Sequence, residues 1–240
     1  MCVIVYKPEG QPFPDRATLA RCFNTNPDGA GLMYSHNDRV HIKKGLMTFE
    51  DFCDALENAR GIAGDFAPFV LHFRISTQAG ICPQCTHPFP LSPKMQDLKK
   101  LEAVSDIGIA HNGIIKLTSD GSTDYNDTML FITDYLSKII KSRRYYKSKK
   151  ARDTIEGLAR SRLAILDGAG HCELLGAGWI EDNGIFYSNS SYQKIDFWDF
   201  WDYDPAENFA YFFDPFDCPA TLEGDLSFCA DCVNFAECFQ

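Results

Sequence analysis

The chain has 240 residues, 45% of them hydrophobic and 23% charged, and a formal net charge of −10; that length can bury a substantial core without disulfides or metals to hold it. No apolar stretch approaches the ~20 residues that span a bilayer, and "PEGQPFPD" follows "MCVIVYK" too closely for a secretory signal peptide, so the chain reads as cytoplasmic. The acidity is local: residues 196–240 hold 11 of the 33 acidic residues and no Lys or Arg, which leaves a near-neutral body and argues against broad nucleic-acid binding, since phosphate contacts need clustered cations.

In chain order, "VIVYK" reads as a short buried strand, and "DRATLARCFNT" as a helix entered through Pro14 and Asp15. "GLMYS" and "RVHIKKG", joined by "HND", read as a hairpin. Thr48 is the expected N-cap of a helix over "FEDFCDALENAR", whose Phe49, Phe52, Cys53 and Leu56 share one face. "APFVLHFRIST" is a strand by its β-branched and aromatic content. "DIGIAHNGIIKL" reads as two strands meeting at a tight turn around Asn112 and Gly113, because Asn-Gly favours that geometry. "NDTMLFITDYLSKIIKS" carries the strongest helical period, and a further helix in "ARDTIEGLAR" leads into strands at "RLAILDG", "CELLGAG" and "GIFYSNS".

Strands at both ends with helices grouped between them fit an α+β body over residues 1–195, with antiparallel sheets covered by helices rather than βαβ winding. After it the texture changes to "DFWDFWDYDPAENFAYFFDPFDC", and residues 196–240 hold 13 of the 32 aromatic residues. This acidic, aromatic, Cys-rich extension is too aromatic for an inert solvated tail and is expected to pack on the body or on a partner.

The chemistry starts at Cys2. A small residue behind Met1 permits removal of that methionine, which would leave a thiol and a free amine on one residue. Their ordinary pKa values, about 8.5 and about 7.7 to 8.0, let the amine take the thiol proton near neutral pH. Attack on a carbonyl then needs two fixed donors for the developing oxyanion. The Asn112 side-chain amide and the Gly113 N–H of "HNG" are the candidates.

Six short motifs, "MC" at the start, "NPDGAG" at 26–31, "HFRISTQAG" at 72–80, "THPFP" at 86–90, "IAHNGII" at 109–115 and "NDT" at 126–128, occur in an order that resembles the glutaminase domain of class II glutamine amidotransferases. These are N-terminal-nucleophile hydrolases that release ammonia from glutamine. The resemblance implies a four-layer α/β/β/α sandwich of two antiparallel sheets, with Cys2 as nucleophile and Asn112 and Gly113 as the oxyanion hole. It also implies Arg74 on the α-carboxylate of L-glutamine, helped by Thr77 and His87, and Asp127 on the α-ammonium. Elementary chemistry agrees, because a zwitterionic amino acid needs a donor fork at one end and an acceptor at the other. The ammonia acceptor is expected on a separate synthetase-like protein. Catalysis of this kind uses no cofactor. Two positions depart from the family's pattern: Val3 stands where glycine is usual, and Ile75 where tryptophan is usual.

Other readings stay open from the residues alone. Cys2 also fits a small buried residue opening a strand, Arg74 a structural ion pair, and Asp127 an acid offsetting a helix dipole. The fold could serve another amide substrate, or the chain could be a non-catalytic partner-binding protein working through its aromatic extension. Cys218, Cys229, Cys232 and Cys238 match a structural zinc or an iron–sulfur site, or a set of buried thiols; in one variant Cys82 and Cys85 join Cys229 and Cys232 around the metal. A reducing cytosol favours thiols and metal ligands over disulfides. The basic run "KSRRYYKSKKAR" at 141–152 reads as a solvated helix end, a docking patch, or a counterweight to the acidic extension.

Overall fold

The computed structural model describes residues 2–76, 80–116 and 125–194. The strands are β1 (Val3–Lys7), β2 (Ala30–His36), β3 (Arg39–Leu46), β4 (Phe69–Phe73), β5 (Phe89–Pro90), β6 (Glu102–Ser105), β7 (Ile107–Asn112), β8 (Arg162–Asp167), β9 (Cys172–Leu175), β10 (Ile180–Asp182) and β11 (Ile185–Tyr187). They form a seven-stranded sheet ordered β10-β11-β1-β4-β2-β3-β6 and a four-stranded sheet ordered β5-β7-β8-β9, with every pairing antiparallel. The helices are α1 (Arg16–Thr25), α2 (Phe49–Ala63), α3 (Met95–Leu98), α4 (Asp127–Phe131), α5 (Ser137–Ile139) and α6 (Lys149–Ala159), and the class is α+β.

Alternation along the strands sorts the core. Val3, Val5, Leu32, Leu71 and Phe73 pack with Leu19, Phe23, Phe52 and Leu56 of α1 and α2. Ile109, Leu163 and Ile165 pack with Met129, Phe131 and Ile155 of α4 and α6. The intervening positions, Ile4, Met33, Ile42 and Val70 of the larger sheet, meet Ala110, Ala164 and Leu166 of the smaller one. A side-chain period of two requires this division of labour.

Local signals explain most element ends. The Asp15 carboxylate accepts the Thr18 N–H at 2.6 Å, and the Thr48 hydroxyl oxygen accepts the Asp51 N–H at 3.1 Å, so both helices begin on side-chain caps. Asn37 and Asp38, at φ 49° and 58°, form the two-residue turn between β2 and β3, and a turn with both φ positive matches the twist of its strands.

Two expectations change. Asn112 stays extended inside β7, paired with Arg162, and Gly113 leaves the strand at φ 143°; "HNG" is therefore a strand end and not the turn of a hairpin. The long helix expected from Asn126 onward is interrupted after α4 by a π turn over Ile132–Leu136 before α5. There the Thr133 hydroxyl donates to the Leu130 carbonyl at 3.1 Å and Ser137 to the Thr133 carbonyl at 2.8 Å, side-chain competition that loosens a helical ladder.

The basic run is engaged by acids of the body itself. Arg143 bonds Asp38 and lies 3.1 Å from Asp106, Lys147 is 2.8 Å from Asp167, and Arg152 is 2.9 Å from Glu173. Asp167 is fully buried and also takes the Tyr146 hydroxyl at 3.0 Å, so this stretch pins the 141–152 segment to β8 and β9.

Gly31 makes the closest approach between β2 and the segment leading to β5. A Cβ there would sit 2.2 Å from the His87 carbonyl oxygen and 2.8 Å from Lys44 Cβ. Because the first obstacle is backbone, Gly31→Ala is expected to destabilise the body by about 3 kcal/mol, lowering the thermal midpoint by roughly 6 to 12 °C for a domain of this size. Calorimetry on the purified variant checks it; an unchanged midpoint would mean that the two segments are not in contact.

Candidate functional site

Antiparallel register brings four strand ends to one edge of the larger sheet. Val3 opposes Phe73, Phe73 also opposes Ala30, and the Ser188 N–H just beyond β11 reaches the Ile4 carbonyl at 2.9 Å. Cys2, Arg74, Gly29 and Ser188 therefore emerge side by side. Ser188 carries the link to the smaller sheet, through the Asn112 amide 2.8 Å away at the end of β7.

The Cys2 thiol is half-buried and held by the main chain of Ile75, its sulfur 3.4 Å from both the N–H and the carbonyl oxygen. Burial pushes the thiol above its ordinary pKa, while the Ile75 N–H, the Arg74 guanidinium and the chain's amino terminus pull it down. Asn189 donates its side-chain amide to the Cys2 carbonyl at 2.8 Å, fixing the peptide that follows the sulfur. The Val3 side chain is fully buried in the cluster shared with α1 and α2, on the face that alternation turns away from Cys2. Ile75 contributes its backbone to the thiol.

Arg74 is buried, at 3% exposure. Its N–H bonds the Gly29 carbonyl at 2.9 Å, its carbonyl takes the Asp28 N–H at 2.9 Å, and one guanidinium nitrogen donates to the Ser76 hydroxyl at 3.0 Å. The Ser76 N–H in turn donates to the Asp28 carboxylate at 2.7 Å. Burial lowers the Arg74 pKa, and the charges of Cys2, Asp28 and Asp127 oppose that shift. Three elements distant in sequence therefore act on one guanidinium.

Asp127 opens α4 beside its N-cap Asn126. Its carboxylate accepts the Ile115 N–H at 2.6 Å and the Thr128 N–H at 2.7 Å. These bonds turn the chain after Gly113 inward, which is why Ile115 is buried rather than part of a strand. Gly113 itself is required by its backbone and by space, since a Cβ would lie 2.6 Å from Ser161 Cβ. His111 anchors the same corner, with one ring nitrogen 2.7 Å from the Thr128 hydroxyl and the other 2.7 Å from that of Ser161.

His87 lies deeper. Its ring stacks on His72 at 4.3 Å between centroids and meets Phe89 edge-on, and its two ring nitrogens are buried without hydrogen-bond partners among the described residues. Burial keeps His87 well below the usual histidine range, and His72, whose Nε2 donates to the His111 carbonyl at 3.0 Å, is pushed down to about 3. Both rings are neutral at physiological pH. Beside them Lys44, its amino group lowered to about 6 by burial, donates to the carbonyls of Gln84 and Leu98 at 2.8 and 2.6 Å.

The structure thus brings Cys2, Arg74, Asn112, Gly113 and Asp127 to one region and sets His87 behind it. Thr77 and the four cysteines 218, 229, 232 and 238 lie outside the described residues, among which no three His, Cys, Asp or Glu side chains are arranged to hold a metal. Cys82 and Cys85 correct the expectation of free thiols. They are joined to each other in a disulfide, so neither sulfur is open as a thiolate ligand, and the metal variant that shares them with Cys229 and Cys232 fails. Cys22 is buried and its thiol pushed up to about 12, and Cys53 and Cys172 pack against the apolar clusters. Asp28, Ser76, Ser188 and Asn189 are the polar residues of the site that had no assigned role in the sequence. Asp28 lies inside the "NPDGAG" motif, while Ser188 and Asn189 lie in a stretch that reads as strand.

Among the described residues, no helix is long and apolar enough to cross a membrane. The chain matches no model of a known protein family and no curated protein.

Proposed function

We propose that the chain is a glutaminase of the N-terminal-nucleophile type, similar to the class II amidotransferase domain, with the four layers helix, sheet, sheet, helix. The division of the core supports the layering, since one cluster joins helices to each sheet's outer positions and a third joins the sheets to each other. The observation that carries the function is the strand pairing that sets the buried Arg74 beside Cys2, whose sulfur rests on the Ile75 main chain, with the Asp127 carboxylate acting on the same guanidinium. A site for free glutamine needs that combination: a cation for one end of the zwitterion, an anion for the other, and a nucleophile for the side-chain amide.

Once Met1 is removed, the Cys2 amine takes the thiol proton and the thiolate attacks the amide carbon of L-glutamine. The Asn112 amide and the Gly113 N–H receive the oxyanion. On its collapse the amine returns the proton to the leaving nitrogen, and ammonia departs from a γ-glutamyl thioester. Water, deprotonated by the same amine, releases glutamate and restores the thiol. Arg74 and Asp127 hold the α-carboxylate and α-ammonium. His87, stacked on His72 with its nitrogens buried, backs the pocket rather than gripping substrate. Ammonia passes to a separate synthetase-like protein, for which the aromatic extension is the candidate docking segment.

The first measurement is the intact mass. The reading expects a chain lacking one methionine, with ammonia and glutamate released in equal amounts from glutamine. A retained Met1 in active protein would remove the α-amine from the mechanism.

A further inference from the structure

Ser188 occupies the junction of the two sheets, and its hydrogen bonds do not balance. It is fully buried, and its hydroxyl oxygen accepts both the Ile4 N–H at 2.8 Å and the Asn112 side-chain N–H at 2.8 Å. Both lone pairs are then filled, and the hydroxyl proton meets no acceptor among the described residues. At the same time Asn112 Oδ1 is buried and receives no hydrogen bond from the described residues. One stranded donor and one stranded acceptor therefore stand on neighbouring side chains.

A half-turn of the Asn112 amide pairs the stranded hydroxyl proton with the amide oxygen and leaves the two amide N–H groups as the unpaired ones. Exchanging its oxygen and nitrogen, which have nearly the same shape, lets Ser188 accept from Ile4 and donate to Asn112 Oδ1. The amide nitrogen then takes the buried place without a partner, with both its N–H groups unspent. We propose that Ser188 is a positioning residue, and that its hydroxyl, oriented by the Ile4 N–H of the nucleophile's own strand, locks the Asn112 amide with its nitrogen turned toward the reacting carbonyl. Asn189, donating to the Cys2 carbonyl at 2.8 Å from the next position, makes the same short turn tie down nucleophile and oxyanion donor together. The catalytic consequence rests on the glutaminase reading; the orientation of the amide does not.

Two measurements test it. A neutron structure of the wild-type chain, where hydrogens are seen directly, is expected to show deuterium on Ser188 Oγ pointing at Asn112 Oδ1; an Asn112 Nδ2 amide group facing Ser188 would overturn the lock. In the glutaminase assay, Ser188→Ala is expected to lower kcat about 10- to 100-fold with KM changed less than about twofold, because one oxyanion donor is misdirected while the zwitterion contacts remain. Ser188→Thr, which keeps the hydroxyl, is expected to stay within about threefold of wild type, and Ser188→Ala added to Asn112→Ala should cost nothing further. Fully additive losses in that pair, or a loss in KM alone, would make Ser188 a mere packing residue. If Ser188→Ala does not fold, the threonine variant and the neutron map still decide. A wild type that leaves glutamine intact rejects the reaction, while the map continues to judge the amide.

Discussion

Cys2→Ala is expected to abolish release of ammonia from glutamine, with kcat falling by at least about 10⁴-fold, the scale on which loss of a covalent nucleophile is felt. The substitution leaves a small side chain at position 2, so Met1 removal and the α-amine persist, and the β1–β4 register does not depend on the sulfur. Folding should therefore be unaffected, and a thermal midpoint within about 2 °C of wild type is the control. Residual ammonia at the wild-type rate would assign the chemistry to another group and end the proposal. Cys2→Ser sharpens the test. It keeps a nucleophilic atom in place, but an alcohol is a far weaker acid than a thiol, so its rate should lie near that of the alanine variant.

The second large effect belongs to Arg74. Replacing it with methionine keeps much of the buried length and removes the charge and the donor fork. Loss of a desolvated, charge-assisted contact to the α-carboxylate is expected to cost about 2 to 4 kcal/mol, or roughly 30- to 700-fold in kcat/KM for glutamine. An effect on the thiol should accompany it. The guanidinium lowers the Cys2 pKa, against the larger upward push of burial; without the cation the thiolate is harder to form, so the pKa rises further. The pH profile of Cys2 alkylation by iodoacetamide should move to higher pH in Arg74→Met, with slower reaction at any pH below its midpoint. Arg74→Lys, keeping a charge but not the fork, should hold the alkylation profile and recover only part of kcat/KM. A profile that fails to move in the methionine variant would put the guanidinium out of reach of the sulfur, and the pocket would have to be redrawn.

Much of the fold was legible because its cause is local. Val3, Val5, Leu71 and Phe73 alternate with Ile4, Val70 and His72, and that alternation is what a strand between two apolar layers requires. Asp15 and Thr48 were readable as caps because an N-cap acts within three residues. The short β5, β6 and β10 and the four-residue α3 escaped notice, since segments of two to four residues carry no legible period; partners elsewhere in the chain make the first three strands. The Asn-Gly reading failed for a similar reason. A turn there was the favoured local choice, but pairing with β8 kept Asn112 extended, and Asp127 drew Ile115 inward. Candidate site residues in short motifs could be proposed in advance, whereas Ser188 and Asn189 could not. Nothing in "YSNSS" foretells that it ends beside the first residues of the chain; only the β1–β11 pairing does that.

The disulfide illustrates the opposite limit. Two cysteines three apart suit a chelating pair or a bonded pair equally by spacing, and the compartment argument favoured the former. The local 3-10 turn at Pro83–Cys85 brings the two Cα atoms to 5.4 Å, a separation at which the sulfurs meet.

β1 begins at Val3, already paired on both sides of the sheet within its first residues. No slack separates that pairing from the sulfur, and in the proposed mechanism any residue left in front of Cys2 ties up the α-amine that serves as base. Purification handles therefore belong at the other terminus. A fusion carrying extra residues before Cys2 should be catalytically silent until a protease that leaves cysteine in first place sets it free, giving a preparation whose activity can be switched on at a chosen moment.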